Sequence, residues 1–404
     1  MTLATRQTAA TAPAPPGTGL VLNLMGQLTL GLFAMMICLP SMQDWSHTLG
    51  GTRPWVQATF AGYVAAFGLL QLAYGAVSDR IGRRPVLVVG LLLAIAGSFG
   101  AAFATSVPVL VLARVVQGAG CAAGMVIGRA LVQDLFQGAE RTRAMALVGM
   151  SMGMSPPIAL LLGGQIHVRF GWQANFVLIG VLATLALLAA WLGLPASTRA
   201  PAAGKLPGLR SGYARLGREP GFVLHVVLLA MLTATFYTFL GGAPVVFAGY
   251  GMTPERVGAY MMMGPSSYVV GNLLTTRLKR AGVGDRRLMT VGQAITMCGV
   301  ATMLLLAFAG PPSPLALAAP MLFVGLGHGL LMPPTLSGTV GLVPALAGSA
   351  SAVAGLSQQM TGALGGYLAG LVPLDGAAAL TGLMFVLATI GLIAQAMLVR
   401  RRGA

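Results

Sequence analysis

The stretch GAVSDRIGRRPVLVVG, from Gly75 to Gly90, gathers Asp79, Arg80, Arg83 and Arg84 between two runs that are otherwise almost wholly apolar. Asp79 at the end of one helix and Arg83 at the start of the next can pair with neighbouring helices, and Gly75 and Gly82 permit close backbone approach and positive φ. Asp134, with Glu140 nearby, is placed to join them in an ion network. Two further groups sit inside apolar runs, where an ionisable side chain costs about 2.5–3.5 kcal/mol on insertion scales and is therefore a functional candidate. Arg114 has Gln117 at i+3 on the same helical face, and His328 lies between glycines in FVGLGHGLLMPP. An imidazole titrates at about pH 6.5 in water, so His328 could carry a proton, bind a substrate, or donate one hydrogen bond to a facing helix. Thr233, Phe236, Tyr237 and Leu240 recur at helical spacing, a face of mixed polarity that suits either an amphipathic cavity or helix packing. Gln358 and Gln359 are adjacent and point about 100° apart, so only one of them can face a cavity.

These residues have to be positioned by membrane helices. Of 404 residues, 56% are hydrophobic and 8% charged, with mean hydropathy +0.83; a soluble chain carries roughly three times that charged fraction. Three cysteines, Cys38, Cys121 and Cys298, all lie in apolar runs, which gives no support to a disulfide framework. A net charge of +16 falls in short breaks between apolar runs, as membrane topology requires, and not on a basic face suited to nucleic acid. Residues 1–19 are rich in Ala, Thr and Pro and read as a disordered cytoplasmic tail. The apolar run after it is too long for the core of a cleaved signal peptide and reads as a retained first helix.

At roughly 20 apolar residues per bilayer crossing, the chain divides into twelve segments near 20–41, 54–77, 85–105, 107–133, 143–166, 172–194, 221–247, 255–275, 287–309, 314–339, 346–372 and 376–399. The fold class is therefore all-α, with twelve transmembrane helices in two pseudo-symmetric six-helix bundles. The bundles span residues 20–194 and 221–404, joined by a cytoplasmic linker at 195–220 that carries Arg199, Lys205, Arg210, Arg215 and Arg218. With both termini cytoplasmic, nineteen of the 24 lysines and arginines fall on the inner side and only Arg53, Arg169 and Arg256 on the outer, a strong positive-inside bias. The halves echo each other: QLAYGAVSDRIGRRPVLVVG after the second span has a weaker counterpart in GNLLTTRLKRAGVGDRRLMTVG after the eighth. Two such halves are the architecture of secondary transporters, with the substrate site near the midplane between them.

The G-x-x-x-D-R-x-G-R-R pattern of Gly75, Asp79, Arg80, Gly82, Arg83 and Arg84 resembles the signature loop of the major facilitator superfamily. ARVVQGAG around Arg114 resembles the fourth-span motif of that family. GRALVQDLFQG, FGWQANF and AGSASAVAGLSQQMTGALGG are similar to segments of its bicyclomycin and chloramphenicol resistance branch. The resemblance implies proton-coupled export of small, mostly apolar compounds across a bacterial inner membrane, without a cofactor and with the proton gradient as energy source. It also implies that Arg114 takes part in proton coupling or contacts the central cavity, and that Asp79, Arg83 and Asp134 latch one conformation at the cytoplasmic rim. The implied partners are a small-molecule substrate, protons and the lipid bilayer, with the chain working as a monomer.

The chain also departs from that branch. Where the branch carries an acidic residue before Tyr-Leu-Pro in the first span, this sequence has Met36 and Cys38 in MMICLPSM. All eight acidic residues, Asp44, Asp79, Asp134, Glu140, Glu219, Glu255, Asp285 and Asp375, fall in loops or at span ends. A cavity with Arg114 and no acid has a positive field that disfavours cations. The expected cargo is a neutral or anionic amphiphile, and the expected pathway is Met36, Arg114, Gln117, Phe236, Tyr237, His328 and Gln358. The fifth-span motif keeps Pro156, Gly163 and Gly164 but has Leu160 where antiporters carry proline, and the tenth has Pro333-Pro334 in place of Pro-Asn. His225, near the cytoplasmic start of span seven, is expected at the membrane interface, and His47 and His167 in or near outer loops, where scattered histidines mean little. An uptake carrier or a proton-independent facilitator for a small metabolite fits the same sequence. A membrane enzyme does not, because no Ser/His, paired-Asp or metal-ligand constellation lies within the spans.

Overall fold

A computed structural model describes residues 18–194, 214–310, 313–343, 346–371 and 377–401. The expected tail, the Arg199, Lys205 and Arg210 part of the linker, and Asp375 lie outside the described residues. Twelve membrane-length helical units follow in order: α1 (Thr18–Met36), α2 (Arg53–Ile81), α3 (Arg83–Ala102), α4 (Val107–Leu135), α5 (Gly138–Phe170) and α6 (Gln173–Gly193), then α7 (Pro220–Gly249), α8 (Pro254–Met261 and Met263–Arg280), α9 (Asp285–Ala309), α10 (Pro314–Ala318 and Met321–Gly341), α11 (Ala347–Leu371) and α12 (Ala377–Arg401). No strand occurs among the described residues.

Local chemistry sets the ends of these helices. Pro54, Pro108, Pro220, Pro254 and Pro314 occupy the first turn of α2, α4, α7, α8 and α10, where a missing N–H is no loss and φ is already helical. The α2–α3 turn closes through Gly82 at φ 101° and its counterpart after α8 through Gly282 at φ 84°, a backbone region that side chains disfavour. The sequence echo between the halves is thus an echo of turn geometry. Two spans expected to be continuous are broken: α8 at Met262, where Pro265 opposes the carbonyl of Met261, and α10 ahead of Pro320. In each case the proline removes a backbone donor and crowds the preceding turn.

Ten of the helical units are long and apolar enough to cross a membrane by length and composition; α8 and α11 are the two that fall short. Those two helices make most of the contact between the bundles, with α7 adding the rest. Within the first half α4 packs between α2 and α3, and within the second α10 packs between α8 and α9, while α2 packs on α11 and α5 on α8 across the divide. A helix that faces another bundle and an aqueous cavity has less need of apolar residues than one bathed in lipid.

The two bundles meet at the arginine-poor end. A Cβ built on Gly164 would lie 2.4 Å from the Pro254 carbonyl oxygen, and one on Gly258 would lie 2.2 Å from that of Leu160. These two glycines therefore let α5 and α8 touch backbone to backbone. On the other side of the divide, Gln57 Nε2 donates to the Gly241 carbonyl at 2.7 Å, and Gln359 lies against Gly68. All of these contacts lie at or beyond the midpoints of α2 and α5, on the arginine-poor side. Among the described residues no hydrogen bond or ion pair crosses between the bundles at the arginine-rich end.

Candidate substrate pathway and arginine-rich rim

Arg114 on α4 is fully buried, at 0% exposure. Its Nη1 donates to the Ala34 carbonyl of α1 at 3.0 Å and to Gln117 Oε1. The guanidinium lies over the Tyr63 ring of α2, 4.1 Å from the centroid, and 5.8 Å from that of Phe176 on α6. Cation–π contact of this kind is worth about 2 kcal/mol when desolvated. Nε and Nη2 have no partner, and no carboxylate reaches the group. Gln117 Nε2 donates to Ser98 Oγ on α3 at 2.8 Å, and Ser98 Oγ donates to the Ala94 carbonyl at 2.6 Å. The pair is thus held inside the first bundle by four helices. Close passage of α2 over α4 depends on Gly118, whose Cβ would meet the Tyr63 carbonyl at 2.4 Å. Met36, at the end of α1 and two residues beyond the Ala34 carbonyl that accepts from Arg114, is buried.

His328 is buried in α10, its Nε2 without a partner. Phe236 of α7 meets it edge-on at 6.4 Å between ring centroids, and Phe236 in turn neighbours Tyr237 at 6.2 Å. Tyr237 packs against Gly362 of α11 and edge-on against Phe60 of α2 at 5.6 Å. Phe60 and Tyr63 are three residues apart on α2, so one helix carries the ring that faces His328's cluster and the ring that covers Arg114. Each buried group thus has aromatic neighbours, Tyr63 over the guanidinium of the first half and Phe236 beside the imidazole of the second, with Phe60–Tyr237 the ring contact across the divide. The sequence reading missed Phe60 and Tyr63; their helical spacing in FAGYVAAF was the available signal. Of the glutamine pair, Gln359 faces α2 and Gln358 is half-buried with Nε2 unpartnered.

At the arginine-rich rim Arg83 is the hub. It donates to Asp79 at i−4, through Nε to Asp134 Oδ2 at 3.3 Å, and to Ser78 Oγ at 2.7 Å. Asp79 sits in the last turn of α2 and Asp134 in that of α4, so the network ties α2, α3 and α4 of one bundle. Arg84 leaves this cluster: its guanidinium donates to the Trp191 carbonyl of α6 and lies 5.0 Å over the Trp191 ring. Arg80 and Glu140 are exposed, and Gly75 and Gly82 supply the helix contact and the turn.

Two histidines have partners that their sequence positions do not announce. His225, five residues from the start of α7, is buried: its ring packs on Gly338 of α10, which lacks a side chain to exclude it, and Nδ1 lies 2.7 Å from the Gly221 carbonyl. His167, near the end of α5, pairs with Asp44 at 3.3 Å, a long-range contact that no local spacing announces.

Two six-helix bundles built alike, touching backbone to backbone at the arginine-poor end and through Phe60 and Tyr237 across the divide, have the architecture of a membrane carrier. Residues 24–366 match the Major Facilitator Superfamily, and the chain belongs to that family of transporters. It is 28% identical over 377 residues to multidrug resistance protein D of Escherichia coli (90% of this chain, 92% of the relative). It is 27% identical over 367 residues to a chloramphenicol resistance protein of Pseudomonas aeruginosa (89% and 86%). A bicyclomycin resistance protein homolog of Haemophilus influenzae is 23% identical over 386 residues (93% and 96%). Among solved structures, a D-xylose-proton symporter superposes with TM-score 0.75 at 14% identity (94% of this chain, 96% of that one). A peptide transporter does so with TM-score 0.76 at 16% identity (97% and 96%).

Proposed function

We propose that the protein exports a small neutral or anionic amphiphile from the cytoplasm by alternating access, in exchange for protons. The carrying observation is Arg114, a fully buried cation with no carboxylate in reach. Every acidic residue among those described sits in a loop or at a helix end, from Asp44 in the turn after α1 to Asp285 at the start of α9. A site with that field repels cations and tolerates anions or neutral dipoles. The drug-resistance names of the relatives support an exporter. The positive-inside distribution supports both termini in the cytoplasm of a bacterial inner membrane, so the side on which the bundles are closed is the periplasmic one. His328, with a free ring nitrogen beside Phe236, is the group in this reading that takes up the exchanged proton, and the Asp79–Arg83–Asp134 network stabilises the cytoplasmic ends of α2, α3 and α4 through each cycle.

The experiment is transport in proteoliposomes of three fluorescent amphiphiles matched in size but neutral, anionic or cationic. Uptake is expected for the first two and not the third, driven by a pH gradient and abolished by a protonophore. Replacement His328→Ala is expected to uncouple transport from the gradient while leaving downhill flux. Preference for the cation would reject the charge argument. Because no carboxylate lies within the membrane, a proton-independent facilitator is the second reading, and a flux indifferent to the protonophore in the unmodified protein selects it.

A further inference from the structure

A groove of about 530 Å³ runs down the outer face of the first bundle between α1, α5 and α6. All of its lining residues belong to the first half, and Leu22, Met154, Ile158 and Leu185 along it are exposed. Both α5 and α6 pack more on α1 than on each other, which leaves α1 as the floor. None of the lining residues is charged.

Polar groups cluster on one part of that floor. Gln27 is 1% exposed and donates through Nε2 to Asn23 Oδ1 at 3.1 Å and to the Ala186 carbonyl at 2.8 Å. Its Oε1 has no partner, and neither has Ser155 Oγ across the groove on α5. A buried acceptor without a donor is unfavourable, so a ligand that supplies one gains by binding there. Gln27 lies nine residues along α1 from Thr18, at the midpoint of that helix, and Ser155 lies near the midpoint of α5. Beyond it the wall is apolar, with Phe33, Ile158 and Leu182.

We propose that this groove binds one uncharged, single-tailed amphiphile whose head bears a hydroxyl, drawn from the surrounding bilayer. The hydroxyl donates to Gln27 Oε1 and accepts from Ser155 Oγ–H, and the tail lies along Phe33, Ile158 and Leu182. A phosphate or carboxylate head is disfavoured because the free group at the floor is an acceptor, and an ammonium because nothing in the lining neutralises it. The site is separate from the Arg114 and His328 clusters.

The test uses the full chain in nanodiscs with a 1-monoacylglycerol that carries a diazirine in its tail, the adducts being mapped by mass spectrometry after illumination. Adducts are expected to concentrate on α5 and α6 around residues 154–158 and 182–189. Ile158→Trp fills the groove from a position that is already 44% exposed, and is expected to cut them at least about fivefold. Ser155→Ala removes a hydroxyl that has no partner within the protein and should lower labelling about threefold, on the scale of one hydrogen bond. Unlabelled monoacylglycerol should compete about fivefold better than its di-O-methyl ether. Labelling spread evenly over all bilayer-facing helices, labelling unchanged in Ile158→Trp, or equal competition by the ether overturns the proposal.

Discussion

At Arg114 the balance of forces can be set out group by group. Two hydrogen bonds to a charged donor contribute about 1.5–3 kcal/mol each and the Tyr63 face about 2 kcal/mol, against a desolvation cost of several kcal/mol for a buried ion. With no carboxylate partner the sum lies near zero, which is the pattern of a group kept for function and not for stability. Arg114→Met is therefore expected to leave the melting temperature within a few degrees of the parent, read by scanning fluorimetry, while transport falls at least about tenfold, a loss of about 1.4 kcal/mol. A large drop in melting temperature with transport intact would make Arg114 a structural residue. Its importance was legible in the sequence because a guanidinium in an apolar run stands out by type alone. Its partners were not, since the Ala34 carbonyl, the Tyr63 ring and the Phe176 ring come from three other helices and nothing in local spacing encodes which faces meet. The same holds for His167, dismissed by position and paired with Asp44.

Among the helices, starts and breaks follow residues that can be read directly: proline in first turns, glycine at positive φ, and Pro265 and Pro320 where α8 and α10 are interrupted. The weaker hydropathy of α8 and α11 is likewise written in their composition, GPSSYVVGNLLTT and SASAVAGLSQQMTGALGG. What it signifies is visible only when these two helices are seen to face the opposite bundle. Gly258 shows how far that contact depends on the absence of a side chain, because the atom a Cβ would strike is a backbone oxygen of α5 and cannot swing aside. Gly258→Val is expected to push α8 off α5 and populate the state open at the arginine-poor end. A cysteine placed at Ser46, in the cleft beside Tyr250 at that end, should then react with an impermeant maleimide about tenfold faster, equivalent to about 1.4 kcal/mol in the opening equilibrium. The background is Cys298→Ser, since Cys38 and Cys121 are buried. Gly249→Val, whose Cβ meets nothing within 4 Å, serves as control, and equal acceleration in both would show that the close approach of α5 and α8 does not set the gate.

For the whole molecule, the repeat seen in the sequence corresponds to two bundles built alike, α4 central in one and α10 in the other. Their relative placement depends on contacts between residues far apart in the chain, from Gly164 with Pro254 to Gly68 with Gln359, beyond any local pattern. Alternating access requires the bundles to turn against each other as near-rigid bodies, so a covalent link across the divide should stop transport without unfolding either half. The structure offers a suitable pair near the helix midpoints: a Cβ on Gly153 of α5 would lie 3.4 Å from Val269 Cγ2 of α8. Val269 Cβ is one bond away from that atom, which brings the two Cβ positions into the neighbourhood of the roughly 3.5–4.5 Å that a disulfide needs. The double variant Gly153→Cys/Val269→Cys, in the Cys298→Ser background, is expected to lose at least about 90% of transport on mild oxidation, a tenfold effect, and to regain it with a thiol reductant. Melting temperature should hold or rise in the oxidised form, because a cross-link restricts the unfolded chain. Full transport by a protein shown on a gel to be cross-linked would mean that cargo passes without relative motion of the bundles, and the carrier mechanism would give way to a channel.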